Sequence, residues 1–497
     1  MNSNEIFPLV PAGWRSTTLG ELAKESGGSI QTGPFGSQLH AADYVDEGIP
    51  SIMPKNIRID GVDTSDIARV SPEDVERLAK HKVLAGDVVY SRRGDVEKCC
   101  LITSGEEGWL CGTGCLRVRI PSSVLSPVFL HAYLCHPAVR EWIVRHAIGA
   151  TMPNLNTSIL SALPILVPPI DEAESVADIW ALVSRKISLN TQTNQALEQM
   201  AQALFKSWFV DFDPVFDNAL DSGFFEREFA GEGIPEPLAK RVAIRQALRE
   251  AAAADTDASA IGRLPPETRA LFPDSFEEHP ELGWIPKGWG VESLESMTSE
   301  IIDHRGKTPK KLGGDWSLSG YPAISAKNIK GGRIVQPDTI RFVDEDLYKK
   351  WMKVPLEKGD LVVTSEAPLG EVYYLSGKHD YLLSQRLYGM RANPEICTGS
   401  FLYFWLQTGF AKADIEGRAT GTTVVGIRQV ELRKVKVLAP NKCIVDLFDK
   451  QASLLLEKIE QNQESIYTLS NLRDTLLPKL LSGELTLPEV EVEQDSI

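Results

Sequence analysis

Apolar residues follow two different patterns along the chain, and the two patterns alternate twice. Residues 11–169 and 286–440 contain short runs rich in Val, Ile and Tyr that are broken by Gly, Pro and Asp, as in Asp87-Val-Val-Tyr90. Such runs are typical of short strands joined by turns. After Pro169 and again after Pro440 comes a long stretch without Gly or Pro, in which apolar residues recur every seven positions. The pattern predicts an α+β protein in which each of two mixed α/β domains is followed by one long helix.

The heptad positions of the two long helices form an apolar seam with polar interruptions. The first seam is interrupted at Asn190 and Asn194 and the second at Asn462, and Asn462 is the repeat equivalent of Asn190. A buried Asn in such a seam costs stability but fixes the register of the helices. We therefore expect the two helices to form an antiparallel coiled coil that separates the two domains. The alternative is that each helix packs only on its own domain. The seam residues are Val176, Trp180, Val183, Ile187, Leu197, Ala201, Leu204 and Trp208 in the first helix and Phe448, Ala452, Leu455, Ile459, Ile466, Leu469, Leu476 and Leu480 in the second.

The alternation of patterns reflects an internal duplication with a period of about 272 residues. Several short segments recur in the same order, which predicts two copies of one module. The matched segments are Pro11-Ala-Gly-Trp14 with Pro286-Lys-Gly-Trp289, Gly48-Ile-Pro50 with Gly320-Tyr-Pro322, Lys55-Asn-Ile57 with Lys327-Asn-Ile329, Gly86-Asp87 with Gly359-Asp360, Phe129-Leu130 with Phe401-Leu402, and Gly149-Ala-Thr151 with Gly421-Thr-Thr423.

These observations predict six segments and one core helix in each module. The core helices are expected at Pro127 to Ala147 and at Ser400 to Glu416, and the segment between the modules is expected to be a flexible linker containing a helix opened by Pro237. The segments are the first module at 11–169, its long helix at 170–210, an acidic linker at 211–285, the second module at 286–440, its long helix at 441–483 and an acidic tail at 484–497.

The charge distribution leaves room for a nucleic-acid partner although the net charge is −16. From Phe209 to Ile285 there are 16 acidic and 7 basic residues, and from Glu484 to Ile497 there are 5 acidic and no basic ones. These two segments carry −14 of the total, whereas residues 286–440 hold 22 basic and 18 acidic residues. A local basic face is therefore compatible with the composition.

The sequence offers no recognisable catalytic or metal-binding pattern. Gly306-Lys-Thr308 lacks the glycine that a phosphate-binding loop needs five residues earlier, where Ile301 stands. Cys111 and Cys115 have no second Cys or His pair at zinc-finger spacing, and the scattered cysteines are expected to be reduced thiols, including Cys99 and Cys100. We expect no metal site, no bound cofactor and no membrane segment, and a cytoplasmic location.

Paired loops in the two modules carry the side chains that suit DNA. Arg can grip a guanine and Asn or Gln an adenine by two hydrogen bonds, while hydroxyls and Gly-flanked amides suit phosphates. The frame is shared while the loop residues differ, as expected of two modules that read two different short sequences. The candidate DNA-contacting residues are Gln31, Thr32, Gly33, Ser37, Lys55, Asn56, Arg92, Arg93, Thr151 and Asn154 in the first module and Arg305, Lys307, Thr308, Lys327, Asn328, Ser365, Arg386, Thr422 and Thr423 in the second.

The chain resembles the DNA-specificity subunits of type I restriction-modification systems, and the resemblance covers nearly its whole length. What the resemblance implies is a pair of target recognition domains, each followed by a long helix of an antiparallel coiled coil. The residues that carry it are Gly33-Pro-Phe-Gly-Ser37, Gly48-Ile-Pro50, Phe209-Val-Asp-Phe212, Leu271-Phe-Pro-Asp-Ser-Phe-Glu277, Glu281-Leu-Gly283, Pro286-Lys-Gly-Trp289 and Leu480-Leu-Ser-Gly-Glu484.

The resemblance also implies partners and a division of labour. Such a subunit is not an enzyme: it recognises a bipartite site on double-stranded DNA and places two methyltransferase subunits there, and restriction subunits join that core. S-adenosylmethionine, ATP and Mg would be bound by those partner subunits. Two alternatives from other classes are a cryptic DNA methyltransferase or nuclease, and a coiled-coil scaffold for proteins only.

Overall fold

The computed structural model describes residues 6, 10–149, 152–231, 233–254, 264–304, 306–377, 379–421, 424–481 and 485. It divides the chain into two compact units: residues 1–192 with 463–497, and residues 193–462. Among the described residues, no helix has the length and apolarity to cross a bilayer.

The first unit contains the first module, in which short strands alternate with short capped helices. Thr18 opens the first helix with a capping box, since its hydroxyl accepts from the Glu21 amide and the Glu21 carboxylate accepts from the Thr18 amide. The helices are α1 (Leu19–Ser26), α2 (Pro72–Arg77), α3 (Pro127–Leu134), α4 (Pro137–His146) and α5 (Thr157–Ala162), and the strands are β1 (Arg15–Thr18), β2 (Ser29–Thr32), β3 (Tyr44–Val45), β4 (Ile49–Ile52), β5 (Ile57–Arg58), β6 (Gly61–Val62), β7 (Ala68–Val70), β8 (Val88–Ser91), β9 (Cys99–Leu101), β10 (Leu110–Cys111), β11 (Cys115–Arg119) and β12 (Pro164–Val167).

Two four-stranded sheets organise this module. One is antiparallel with the order β2-β11-β8-β9, and the other has the order β10-β4-β7-β3, in which β10 and β4 are parallel. Helices α1, α3, α4 and α5 cover one face of the antiparallel sheet and enclose the main apolar core, which includes Leu22, Phe129 and Trp142. The predicted single helix from Pro127 to Ala147 is wrong: His136 accepts the Ala138 amide with its ring nitrogen and starts α4 separately from α3.

After the first module come the first long helix and a helical segment. The elements that follow in chain order are α6 (Ile170–Phe209), α7 (Asp213–Ser222), α8 (Phe224–Glu228), α9 (Glu236–Ala254), α10 (Pro266–Arg269), β13 (Phe276–His279), β14 (Gly283–Pro286), β15 (Gly290–Ser293), α11 (Leu294–Met297), β16 (Thr298–Asp303), β17 (Tyr321–Ile324), β18 (Ile329–Lys330), β19 (Arg333–Ile334), β20 (Arg341–Val343), α12 (Glu345–Trp351), β21 (Leu361–Thr364), β22 (Val372–Tyr374), β23 (Leu382–Leu383), β24 (Leu387–Ala392), α13 (Gly399–Trp405), α14 (Gly409–Arg418), α15 (Gln429–Leu432), β25 (Lys436–Ala439) and α16 (Lys442–Leu481).

The second module, within the second unit, repeats the strand arrangement of the first, except that its second sheet has three strands instead of four. Its antiparallel sheet has the order β16-β24-β21-β22, and a second sheet, β20-β17-β23, again contains one parallel pair. The predicted single helix from Ser400 to Glu416 is likewise wrong, because Thr408 caps a second helix, α14, after α13.

Matched ion pairs show that the duplication extends to side-chain chemistry. In the first module the Arg119 guanidinium donates to Asp87, with 2.7 Å from Nε to Oδ1, and Asp87 also accepts from the Leu84 amide. In the second module Arg391 donates to Asp360 with 2.9 Å between the same atoms, and Asp360 accepts from the amide three residues earlier. The predicted internal repeat is therefore confirmed as a repeated structure.

The segment predicted as a flexible linker is folded over its described part, so that prediction is wrong. Helices α7 to α10 and the hairpin β13-β14 bury a cluster of aromatic side chains in the core of the second unit. The reason is apolar content that the acidic composition conceals: Phe216, Phe225, Phe272 and Phe276 are all at most 5% exposed. Helix α9 begins at Glu236, and Pro237 stands in its first turn as expected.

Contacts within each unit show that the two long helices run antiparallel. In the first unit Val176 and Trp180 of α6 lie beside Leu476 and Leu480 of α16. In the second unit Phe205 and Trp208 of α6 pack against Phe448, near the start of α16. The predicted coiled coil is therefore confirmed, and the alternative of two separate helices is excluded.

The three seam asparagines are buried between the helices. In the second unit Asn462 Nδ2 donates to Asn194 Oδ1 at 2.9 Å, and Asn194 Nδ2 donates to the Ile459 carbonyl at 3.1 Å. In the first unit Asn190 Nδ2 donates to Ser465 Oγ at 3.1 Å. These bonds form only in one alignment of the two helices, which supports a role in register.

Candidate DNA-recognition surfaces

Four loops of the first module meet around Arg92, and together they form what we call the first recognition surface. The Arg92 amide donates to the Gly114 carbonyl at 2.8 Å, and the Arg92 carbonyl accepts from the Leu155 amide at 2.9 Å. Arg93 forms a β-bridge with Asn154. The surface comprises Gln31 to Ser37, Arg92 to Gly94, Gly112 to Gly114 and the described residues from Ile148 to Asn154.

Gly33 is required by the close approach of two of these loops. A Cβ atom at this position would lie 2.0 Å from the Gly112 carbonyl oxygen, so any other residue would force the loops apart. The loop then exposes Phe35, which is 52% accessible, and the Arg92 guanidinium carbon lies 5.7 Å from its ring centroid. Gly33 thus shapes the surface and is too buried for a contact of its own.

Arg92 and Arg93 give the first recognition surface its positive charge. Within the described part of the chain, neither guanidinium forms an ion pair; Arg92 is half-buried, and its Nε atom is buried without a hydrogen-bond partner. Arg93 is exposed. An arginine whose donors are unsatisfied in the free protein is available to phosphates or base edges.

The remaining candidates of the first module differ in whether their polar atoms already have partners within the protein. Gln31 Oε1 accepts from Arg117 at 3.0 Å, and the Thr32 carbonyl faces His81 Nδ1 at 2.9 Å. Lys55 is exposed but lies 2.5 Å from the Asp66 carboxylate. Such an exposed pair is worth little and can be exchanged for a phosphate. Ser37 is exposed on the same loop as Phe35.

Asn56 and Asn328 are structural residues, and their assignment to DNA contact is corrected. They are 2% and 1% exposed. Asn56 accepts from the Met53 amide and donates to the Asp63 carbonyl, and Asn328 accepts from the Ser325 amide and donates to Thr339 Oγ1. The two side chains hold equivalent turns of the two modules, which explains why Lys-Asn recurs.

The second module has an open cleft of about 760 Å³, which we call the second recognition cleft. Five basic side chains and one acidic side chain line it, so that its local charge is opposite to that of the whole chain. The structure thereby brings four candidates together. The charged and candidate lining residues are Lys307, Thr308, Lys310, Asp315, Lys327, Arg341 and Arg386.

Lys307 and Thr308 line this cleft, and both side chains already form hydrogen bonds within the protein. Thr308 Oγ1 accepts from the Lys311 amide at 3.3 Å. Lys307 Nζ donates to the Trp351 carbonyl at 2.8 Å and lies 3.2 Å from His304 Nδ1. Burial, followed by the charge of Lys353, lowers the pKa of Lys307. Burial, followed by the charge of Lys307, lowers the pKa of His304 to about 4, so this ring is neutral at pH 7 and can accept from Lys307.

Ser365 and Arg386 occupy the positions that Arg92 and Gly114 hold in the first module. The Ser365 amide donates to the Arg386 carbonyl at 2.9 Å, as Arg92 does to Gly114. Ser365 is 3% exposed, so its assignment to DNA contact is corrected. Arg386 is exposed, and its Nε lies 2.8 Å from Glu366.

Several residues that line the cleft were not predicted from the sequence. Arg341 places its guanidinium carbon 4.0 Å from the centroid of the Trp316 ring, at the rim of the cleft. Gln385, which precedes Arg386, also lines the cleft with Lys310. Gln385 is adjacent to the candidate Arg386, and this position could have indicated it. Trp316 and Arg341 are 25 positions apart, and no local sequence pattern indicates that they are in contact. Lys327, a sequence-predicted candidate for DNA contact, is exposed in the cleft.

Four candidates, Thr151, Arg305, Thr422 and Thr423, lie outside the described residues. Asn154, three residues after Thr151, is half-buried. Its backbone forms β-bridges with Ile148 and with Arg93. In the second module Gly426 makes the same two bridges, to Thr420 and Glu366.

Known proteins with the same organisation are specificity subunits. The family model described as "Type I restriction modification DNA specificity domain" matches residues 12–199 and 286–466. The type I restriction enzyme HindI specificity subunit of Haemophilus influenzae is 26% identical over 423 residues, which cover 83% of this chain and 89% of that protein. The MjaIX specificity subunit of Methanocaldococcus jannaschii is 21% identical, over 97% of this chain and 95% of that protein.

A solved structure agrees with the fold. The type I restriction-modification S subunit from M. genitalium superimposes with a TM-score of 0.55 at 14% identity, over 95% of this chain and 96% of that one. Because the family model matches both modules and the following helices, this chain belongs to the DNA specificity family of type I restriction-modification systems.

Proposed function

We propose that this chain is the sequence-reading subunit of a type I restriction-modification complex and that it recognises a bipartite site on double-stranded DNA. The observation that carries the proposal is the pair of recognition regions built on one backbone frame with different side chains. Arg93 bridges Asn154 in one, and Glu366 bridges Gly426 in the other. A shared frame fixes how each domain is held against a groove, while different side chains select different bases.

Charge supports DNA as the ligand. The second recognition cleft is lined by five basic side chains against Asp315, and the first recognition surface presents Arg92 and Arg93. Each cation that replaces a counterion on the phosphates makes binding more favourable and more sensitive to salt. The rest of the chain is acidic, which favours approach through these basic regions.

The partners follow from membership of the family. The chain is a non-catalytic subunit, and it assembles with two methyltransferase subunits, with restriction subunits joining the complex. We expect S-adenosylmethionine, ATP and Mg to be bound by those subunits and none of them by this chain. We place the assembled complex in the cytoplasm, where the chromosomal DNA is.

Domain replacement tests whether the two modules read separate half-sites. Residues 15–160 are exchanged for the matching domain of a relative, and the complex with its methyltransferase subunits is expressed in a host whose genome is then sequenced for methylated sites. One half of the methylated site should change and the other half should stay. The reciprocal exchange of 290–436 should change the other half. A change of both halves in either exchange would contradict the two-reader proposal.

A second measurement separates this proposal from the two alternative classes. The purified chain without partner subunits should transfer no methyl group from S-adenosylmethionine, whereas transfer would indicate a cryptic methyltransferase. The complex should bind its site with an affinity that falls steeply as salt rises. A complex that does not bind DNA, or binds every sequence equally, would instead indicate a scaffold for proteins only.

A further inference from the structure

A buried group of two cysteines and one histidine lies in the core of the first module. Cys99 is on β9, His131 is on α3, and Cys135 is the residue that caps the C-terminus of α3, four residues after His131. They are 3%, 4% and 8% exposed. Their three ligand-type atoms, two thiol sulfurs and one ring nitrogen, all lie within 4.8 Å of one another.

The spacing of these atoms matches the edges of a tetrahedral zinc site. With Zn–S bonds of about 2.3 Å and Zn–N bonds of about 2.0 to 2.1 Å, tetrahedral angles put two sulfurs about 3.8 Å apart and sulfur about 3.5 Å from nitrogen. Here the Cys99 and Cys135 sulfurs are 3.7 Å apart, and Cys135 Sγ is 3.4 Å from His131 Nε2. A disulfide would instead require the sulfurs to be about 2.05 Å apart.

We propose that Cys99, His131 and Cys135 form a binding site for a thiophilic metal ion, Zn²⁺ in particular. Two thiolates and a neutral imidazole around Zn²⁺ carry no net charge, which suits burial in an apolar core. Three protein ligands leave one coordination position. Tyr90 is the cross-strand neighbour of Cys99, and its hydroxyl donates to the Leu134 carbonyl at 3.5 Å.

Cys100, the next residue on the strand, shows by contrast how selective the group is. Its side chain packs in a different apolar cluster, which also contains Cys111 and Cys115. Metal binding at the proposed site requires both Cys99 and Cys135 to lose their thiol protons, because the thiolate is the form that binds a metal.

The second module lacks the whole group, which makes the first module's set specific. Cys99 pairs with Tyr90 across the strands, and Val372 pairs with Val363 at the equivalent place. The repeat aligns His131 with Tyr403 and Cys135 with Gln407. All three ligand types are therefore replaced together. The second module builds the same fold with Val372 and Tyr403 buried at two of these positions, so the fold does not require the Cys and His side chains.

Metal binding would join three parts of the first unit. The ion would link β9 to α3, and the His131 ring lies edge-on to Trp180 of the long helix α6, with 6.4 Å between ring centroids. On the same indole the Arg473 guanidinium carbon of α16 lies 5.1 Å from the ring centroid. Zn²⁺ would thus stiffen the junction between the first domain and its two long helices.

The test uses the full chain and a matched pair of valine variants. All proteins carry Cys443→Ser, which removes the exposed thiol as a source of surface binding. C99V introduces the residue found in the second module, and C100V makes the same change on the opposite face of the same strand. Each protein is purified with a non-thiol reductant, loaded with Zn²⁺, freed of excess metal and analysed for zinc by mass spectrometry.

The parent and C100V should each hold about one zinc per chain, and C99V should hold less than about a tenth of that. Co²⁺ in the parent protein should give thiolate-to-cobalt charge-transfer absorption that C99V lacks, and Zn²⁺ should raise the thermal midpoint of the parent alone. The Co²⁺ spectrum of the parent decides the question even if C99V folds poorly. Absence of bound zinc and of the Co²⁺ spectrum in the parent would overturn the proposal. So would a Cys99–Cys135 disulfide in freshly purified, metal-free parent protein.

Discussion

At the scale of single residues, Arg386 combines a strained backbone with a position in the recognition cleft. Its φ is +68°, a conformation that costs a residue with a side chain about 1 to 2 kcal/mol. The equivalent residue of the first module is Gly114, with a φ of +85°. Strain of this kind is maintained where the side chain has a use, and here the guanidinium reaches the second recognition cleft.

Replacing Arg386 with Gly should therefore change stability and DNA binding in opposite directions. We expect R386G to be more stable by about 1 kcal/mol, since glycine adopts this φ without strain and the exposed pair with Glu366 contributes little. Its affinity for the cognate site should fall by about 1 to 3 kcal/mol if the arginine contacts a base. R386A is the control, because it removes the same side chain and keeps the strain: it should lose affinity without gaining stability. Thermal melting and titration with cognate DNA measure both effects, and equal stability of the two variants would contradict the strain argument.

The corresponding prediction for the first recognition surface concerns Arg92 and Arg93. The double variant Arg92→Ala, Arg93→Ala should weaken DNA binding, because these two guanidinium groups carry the positive charge of the first recognition surface. Loss of a base contact should relax one position of the site, whereas loss of a phosphate contact should weaken all sequences and reduce the salt dependence. Lys98→Ala, which removes a cation paired with Asp95, is the control and should bind like the parent. Unchanged affinity of the double variant would remove the two arginines from the interface.

Site residues could be predicted from the sequence only where a short segment or its repeat equivalent indicates them, and not where contacts with distant segments determine their role. The loops that contain Arg92 and Lys327 were found because they recur at the repeat spacing. Asn56 and Asn328 recur too, and nothing in the sequence tells a turn-holding amide from a base-reading one, since the difference lies in burial. The Cys99, His131 and Cys135 group depends on contact between a strand and a helix more than 30 residues away, which local spacing does not encode.

At the scale of elements, buried and half-buried ion pairs join helices α7 and α9 in the described part of 211–285. Arg245 of α9 donates to Asp217 of α7, with 2.5 Å from Nη2 to Oδ2, and the two residues are 5% and 1% exposed. Arg241 pairs with Asp213 at 2.6 Å one turn earlier. Some of the acidic residues whose number indicated a linker are therefore ion-pair partners of these arginines. Net charge could not reveal this, because it counts the charges and not their neighbours.

Removing one member of the buried pair should be costly. We expect Arg245→Met to lower the free energy of unfolding by about 3 to 5 kcal/mol, because Asp217 then stays buried without its main partner. Lys240→Met on the same helix breaks the exposed pair with Glu236 and should cost less than about 1 kcal/mol. The double variant Arg245→Met, Asp217→Leu should recover most of the loss. Urea unfolding, with hydrogen exchange of the α9 amides to localise the effect, measures all three. A similar cost for Lys240→Met and Arg245→Met would contradict the argument.

At the scale of the whole molecule, the two long helices α6 and α16 are the elements that contain residues of both units. Each helix has 40 residues, from Ile170 to Phe209 and from Lys442 to Leu481. At 1.5 Å per residue such a helix is about 60 Å long, or nearly two turns of DNA. The seam hydrogen bonds of Asn190, Asn194 and Asn462 fix how the helices align, and the sequence predicted both the helices and their interruptions because heptad periodicity is a local signal.

If the helices set the distance between half-sites, lengthening both of them should lengthen the gap in the DNA site. One heptad is inserted in α6 between Trp180 and Asn190 and one in α16 between Ser465 and Arg473, two stretches that face each other within the first unit. The insertions keep the seam in phase and leave the asparagine bonds intact. They add about 10 Å, which corresponds to about three base pairs at 3.4 Å each. The site methylated by the lengthened protein with its partner subunits should contain the same two half-sites separated by about three more unspecified base pairs. A two-residue insertion at the same points is the control, since at about 100° per residue it turns the seam to the opposite face of each helix and should disrupt the coiled coil. An active complex that keeps the original gap would show that helix length does not determine the spacing.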